Sequence, residues 1–383
     1  MNIKFIYYYK IVLFFLSVFV LGCQKTKQII IETKNRNLQN IVIPKPIIDA
    51  NIIDKLEYII LESNDNSLLG NVIKMRVYED RIYVLDRIYA GEVFIYSIDG
   101  KHIATIGKNK GQGPLDFVNV HNFEIDYANN LLIIMDNYGQ KFMIYNTDGE
   151  FIKKINSKLR VTDAVLLQNG NIVHAKSSSE HKLSGQSNSK IFITDDNQNI
   201  IKEGFEYDDN SNINLLNYNI IRSEFNGDVV YAPRFKDTIY TVTLDSITPR
   251  FTLDYGNNKK ISNREIENIK TNQELFSLLE QGNLCFLGIN VESKDYLYLS
   301  LGFGLNATVV FYNKNTTKTL SISRDTKNYD LFKILCADID GYFYGAFNNT
   351  PLDELIELFP ELQHLVDPDD MNPILFRYKI KNE

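Results

Sequence analysis

The stretch GKNKGQGPLDF, Gly107 to Phe117, places three glycines and two lysines within eleven residues. That composition suits a loop whose backbone N–H groups cradle a phosphate, and such loops hold their glycines at fixed spacings. The spacing here argues against it: Gly111 and Gly113 begin a G-x-G-x-x-G match, but Asp116 stands where the third glycine would fall and no Gly-Lys-Ser/Thr follows. DIDG, Asp338 to Gly341, opens like a calcium loop yet lacks the further Asp or Asn and the distal glutamate that complete one, so it reads as a hairpin turn, as does TDDNQN at 194–199. The five histidines are scattered, with no C-x-x-C, H-E-x-x-H or G-x-S-x-G pattern. Zinc sites and that kind of serine hydrolase lose their support, and no metal or cofactor is expected.

The first residues read as an export signal. MNIKFIYYYKIVLFFLSVFVLGC has Lys4 and Lys10, then the apolar run Ile11 to Leu21, then Gly22 and Cys23, a run too short to span a bilayer comfortably. A small residue before a cysteine at that place resembles the lipobox of bacterial lipoproteins, which implies lipidation of Cys23 after cleavage. An uncleaved anchor and an ordinary cleaved signal are the alternatives. Removing residues 1–22 leaves 39 basic and 48 acidic residues, a net charge of −9, and no cluster of Lys and Arg stands out elsewhere. Nucleic acid is therefore not an expected partner. Cys285 and Cys336 sit in apolar strand-like runs and read as buried free thiols.

Stepping along the chain, IYSIDGKHIATIG is followed by IYNTDGEFIKKIN, and Tyr96, Asp99, Gly100, Ile103 and Ile106 recur 49 residues later as Tyr145, Asp148, Gly149, Ile152 and Ile155. An Asp-Gly pair between apolar segments predicts a hairpin with both turn residues at positive φ. A second hairpin precedes each such unit: KMRVYEDRIYVLD, FEIDYANNLLIIMD, AVLLQNGNIVHAK, SEFNGDVVYAPR, INVESKDYLYLSL and CADIDGYFYGAF make six. Two hairpins per unit and six units predict an all-β, six-bladed β-propeller of four-stranded antiparallel blades with short helical insertions on one face. The sixth unit stops after three strands, and LEYIILE, Leu56 to Glu62, supplies a fourth, so the N-terminal strand is expected to close the ring. The resulting organisation is a signal peptide at 1–22, a lipidated cysteine and tether at 23–54, with Pro44 and Pro46 discouraging regular structure, and a propeller at 55–383.

IYSIDGKHIATIGKNKGQGPLDF resembles the six-bladed β-propeller lipoproteins of Gram-negative bacteria, which are similar to NHL-repeat propellers. The resemblance implies this fold and a place in the cell envelope, outer membrane or periplasm, more than it implies a reaction. Many relatives read Gly-Pro-Gly-Glu-Phe in the loop, where this chain has Leu115 and Asp116.

Insertions concentrate on the face that carries the second-to-third strand connections and the blade-to-blade crossings. They are SSSEHKLSGQSNS, a helical segment started by a Ser262–Glu265 capping box and ended by Gly282, and a helix started at Thr350 and Pro351. Strand ends bring Asp86, Asp136, Lys176, Arg234 and Asn348 to that rim, and strand starts bring His121, Asn122 and Arg222. The aspartates have an ordinary structural use, bonding a neighbouring turn. The candidate ligand-binding set is His121, Asn122, Arg222, Arg234 and Lys176, holding an anionic or hydroxyl-rich group. The function expected is a lipid-anchored, non-catalytic binding or scaffold protein that presents this face to a glycan, a small ligand or an envelope protein. The alternatives are a propeller lyase or hydrolase acting on a glycan or small metabolite at the channel mouth, and a structural subunit of an envelope complex.

Overall fold

A computed structural model describes residues 27–31, 37–48, 51–159, 163–167, 169–176, 189–206, 221–223, 226–302, 307–348, 350–367 and 372–381. Residues 1–22, Cys23 and most of the insertion SSSEHKLSGQSNS lie outside them. The second strand of blade one, Arg81–Asp86, and that of blade two, Leu131–Asp136, are buried along almost their whole length. A radial sheet with a neighbour on each face has no solvent side, which is why these strands read as near-continuous apolar runs rather than as alternating ones.

Six antiparallel four-strand units are present, each in the order first to fourth strand, and the sixth is completed by β4, Ile53–Ile59. β4 pairs antiparallel with the last strand, Ile374–Ile380, matching Leu375 to Ile59 and Ile380 to Ile53. The ring is closed by the pairing of β4 with this last strand, as expected. Between blades the apolar side chains form one cluster per interface. Tyr83, Val93 and Ile95 of blade one meet Phe123, Leu132 and Met143 of blade two, and at the closing seam Met75, Val77 and Phe94 meet Tyr344 and Leu375.

The Asp-Gly hairpins close differently from the expectation. Only the glycine takes positive φ, +87° at Gly100 and +86° at Gly149. The N–H of Gly100 donates to the Ser97 carbonyl and that of Gly149 to the Asn146 carbonyl, and pairing shifts by one residue beside each turn. This is a three-residue connection with a left-handed glycine in a bulge. The repeat preserves that glycine for a second reason, because the preceding blade's outer strand runs over it: a Cβ at Gly100 would collide with the Ile60 carbonyl, and one at Gly149 would lie 3.1 Å from Ala104 Cβ.

The stretch expected to be an irregular tether lies along the ring. β1, Lys27–Gln28, pairs parallel with the outer strand of blade three, Ile200–Glu206. β2, Ile30–Ile31, and β3, Gln39–Val42, pair parallel with the outer strand of blade four, Ser246–Asp254. Ile47 then bridges Ile322 on the outer strand of blade five. Pro44 and Pro46 do interrupt the strands, yet Ile29, Ile41 and Ile43 are buried against the blades. This strap passes blades three, four and five in turn before β4 becomes the outer strand of blade six.

Two insertions are helical. The one between blades four and five is two helices rather than one: the Ser262–Glu265 capping box starts α1, Asn263–Asn268, and a second box, Thr271 with Glu274, starts α2, Asn272–Glu280. Thr271 claims the free N–H groups of the second helix, so the chain is extended at Ile269 instead of continuing. In blade six Pro351, not Thr350, occupies the N-cap position of α3, Leu352–Leu358, and makes no side-chain cap bond.

Candidate functional site

The loop that first suggests a phosphate is tied to itself and to its neighbours. The N–H of Gly113 donates to Asp116 Oδ2 at 3.0 Å, and the N–H groups of Phe117 and Gly111 donate to the Asn109 and Phe117 carbonyls. Lys110 Nζ donates to the Gly91 carbonyl and Lys108 Nζ to Asn66 Oδ1. Of its glycines only Gly107 has positive φ. The loop is a blade-to-blade crossing, and its cations are used in holding it. The rim aspartates are likewise structural: Asp86 accepts from the N–H groups of Gly70, Ile88 and Tyr89, and Asp136 from those of Val118, Asn119 and Gly139.

The innermost strands carry an alternation that the apolar second strands lack. In Lys74–Tyr78 of blade one and Val120–Asp126 of blade two, Met75, Val77, Phe123 and Ile125 pack between blades while Lys74, Arg76, Asn122 and Glu124 form a polar set nearer the axis. Lys74 Nζ donates to Asn122 Oδ1 at 3.1 Å and to Glu124 Oε2 at 2.9 Å. Arg76 Nε reaches Glu124 Oε1 at 2.8 Å. Asn122 Nδ2 donates to Asp163 Oδ1 in blade three at 2.8 Å, and Asp163 Oδ2 accepts the N–H of Ile221 in blade four. A polar relay thus steps through four consecutive blades. Burial would raise the Glu124 carboxyl and lower the Lys74 amine; the Arg76 and Lys74 charges outweigh burial at Glu124 and hold it below the usual carboxylate range, while the Lys74 amine is lowered to about 8.

This geometry sorts the candidate residues. Asn122 is buried and spends its amide on the relay, so it is a structural link between blades rather than a rim contact. Arg222 pairs with Val230, one step from the Ser223–Val229 pair that precedes the Asn226–Asp228 turn, and its guanidinium is 3.7 Å from Glu292, which also meets Arg250 and Lys314. The register puts Arg222 nearer the tight-turn face, away from the insertions. His121, Lys176 and Arg234 stand where their strands begin or end on the insertion face, in blades two, three and four. His121 is half-buried, and burial together with the charge of Arg87 lowers its imidazole to about 4, so it is neutral at physiological pH. Lys176 is buried, its amine 5.1 Å from the centre of the Phe192 ring. Arg234 is half-buried.

Three rim features were not read from the sequence. Arg87 lies close enough to affect His121, and Tyr89 and Tyr138 are 68% and 59% exposed in the second-to-third strand connections of blades one and two. The signal available for the tyrosines was an aromatic residue at the same place in two successive units. Among the described residues no group of three or more His, Cys, Asp or Glu side chains could hold a metal ion. Cys285 and Cys336 are free, buried and in different blades, with burial pushing both thiols up to about 12.

Six four-stranded blades, the sixth completed by β4, define a six-bladed β-propeller with one insertion-bearing face. The chain belongs to the family described as a domain of unknown function, DUF4934, whose model matches residues 28–379 and so takes in the strap as well as the blades. Its fold is similar to that of a protein of Bacteroides fragilis described as exported, at 19% identity and a TM-score of 0.75, over 90% of this chain and 100% of that one. It is also similar to a member of the DUF4221 family from Bacteroides vulgatus, at 12% identity and a TM-score of 0.54, over 87% of this chain and 98% of that one. No curated protein matches the sequence.

Proposed function

We propose that the protein is a lipid-anchored, extracytoplasmic binding or scaffold protein that presents its insertion face to a glycan or to an anionic, hydroxyl-rich group on an envelope partner. The observation that carries this reading is the placing of His121, Lys176 and Arg234 at the same end of three consecutive blades, with Arg87 beside His121. A chain whose mature net charge is −9 thereby places the half-buried Arg87 and Arg234 and a neutral imidazole at one mouth, groups that donate hydrogen bonds to hydroxyl, carboxylate or phosphate oxygens. Exposed Tyr89 and Tyr138 on the adjoining blades add flat apolar faces of the kind on which sugar rings stack. Export is supported by the N-terminal segment ending at Cys23 and by the description of the Bacteroides fragilis protein.

The test is binding of the mature chain to a panel of acidic and neutral oligosaccharides and to solubilised envelope protein. Alanine at His121 or Arg234 weakens the interaction by about tenfold each, roughly 1.4 kcal/mol, with an unchanged melting temperature, and Tyr89→Ala weakens glycan binding selectively. Asn169→Ala and Asn226→Ala, in turns on the opposite face, leave binding unchanged. Loss of binding from the turn variants alone refutes the assignment of the face. Turnover of a bound glycan would move the protein to the lyase or hydrolase class.

A further inference from the structure

An anchor at Cys23 would be held close to the ring by the strap. A free tether of some thirty residues would let the propeller tumble, but β1 to β3 and Ile47 are bonded along the outer edges of blades three, four and five. Counting back from β1, Cys23 is four residues from Lys27, a reach of about 14 Å when extended. β1 runs parallel to Ile200–Glu206 with Lys27 opposite Lys202, so its N-terminal end points to the Asp195–Asn199 turn. Lys158 of blade two meets that same turn, donating to Asn199 Oδ1 at 3.0 Å.

The outer strand of blade two, Phe151–Asn156, is distinctive. Its residues are exposed apart from Ile155, and no strap segment pairs with it among the described residues. It shows Phe151 at 41% and Ile152 at 50% exposure, beside Lys153, Lys154 and Lys158, and FIKKINSK contains no acid. The nearest acids in sequence are Asp148, held by Arg81, and Glu150, which accepts from Asn146. Lys25 and Lys27 add two cations within four residues of Cys23. Apolar side chains interleaved with lysines, next to the point where an acyl chain would enter the bilayer, match the chemistry of an anionic lipid surface.

We infer that the outer edge of blade two, from Phe151 to Lys158, rests on anionic lipid headgroups, holding the propeller edge-on with both faces of the ring clear of the membrane. The inference rests on the lipid-anchor reading of Cys23, and its test supplies the anchor chemically. The chain 23–383 is coupled through the Cys23 thiol to a maleimide-headgroup lipid in vesicles of phosphatidylethanolamine and phosphatidylglycerol; Cys285 and Cys336 are buried and do not compete. The protein contains no tryptophan, so Ile152→Trp installs a single reporter, and Ile339→Trp, 68% exposed in blade six, is its control. In vesicles containing brominated lipid the fluorescence of the Ile152→Trp protein is quenched and that of the control is not. Adding Lys153→Glu and Lys154→Glu restores the emission, the docked population falling roughly thirtyfold or more, about 2 kcal/mol. Equal quenching at both positions, no quenching at 152, or quenching indifferent to the lysines overturns the inference. A protein strand pairing with this edge would give the second of these results. Metabolic labelling of Cys23 in cells reports separately on acylation.

Discussion

At Gly100 a methyl group would meet the Ile60 carbonyl, and the residue's φ of +87° is itself strained for any side chain. Gly149 shares the φ but faces only apolar side chains at 3.1 Å, which can give way. Gly100→Ala is therefore expected to cost about 3 kcal/mol or more and Gly149→Ala about 1 to 2, as denaturant titration will show; equal losses would mean that the blade contact at Gly100 is unimportant. The histidines give a pH signature. Burial first, and the charges of Arg87 and Lys176 second, lower His121 to about 4 and His174 to about 3 from an ordinary 6.5. The unfolded chain then binds protons that the folded chain refuses. Their stability contribution is complete above pH 6.5 and is lost as pH falls through the window between 6.5 and 4 for His121 and between 6.5 and 3 for His174, by up to about 1.4 kcal/mol per pH unit for each residue. His121→Asn should flatten that fall in melts recorded against pH, and an unchanged slope would show that His121 titrates normally. At this scale the sequence revealed which residues reach strand ends but not what they meet. Asn122 and Arg222 were misplaced because their partners, Lys74, Asp163 and Glu292, come from other blades.

The blades were legible as elements because each hairpin is a local pattern: two apolar runs about a turn, repeated with the same residues at the same offset. The strap was not legible. β1 and β2 are two residues each and β3 is four, too short to show alternation, and a parallel pairing leaves no turn signal between partners. Its energetic weight is nonetheless large. Ile29, Ile41 and Ile43 are almost fully buried, and burying three such side chains contributes on the order of 5 kcal/mol. A chain beginning at Ile52, which keeps β4 but lacks the strap, is expected to melt well below a chain beginning at Cys23 while still unfolding in one cooperative transition. Equal melting midpoints would show that the strap adds nothing. The helices were foreseen in place, and their apolar sides are used to cover blades: Leu275 and Leu279 pack with Ile261 and Leu287, and Phe359, which follows α3, lies against Phe347 and Tyr58.

For the whole molecule, closure separates two kinds of truncation. A chain beginning at Lys74 loses β4 as well as the strap, which opens the hydrogen-bonding edge of Ile374–Ile380 and removes Ile59 and Leu61 from the seam between blades six and one. Its melting should be broad and its tendency to associate high, because an unpaired edge recruits other chains; a sharp transition as a monomer would mean that five complete blades and a three-stranded sixth form a sufficient ring. The closing pair also has a consequence in time. Arg377 and Glu57, bonded through Nε to Oε2 at 2.7 Å, are 320 residues apart in sequence. Every blade can pair its own hairpins from contacts near in sequence, but this one pairing draws on residues at opposite ends of the ring. Closing the circle is therefore the costliest loop the fold must shut, which makes it the natural late and slow step of folding.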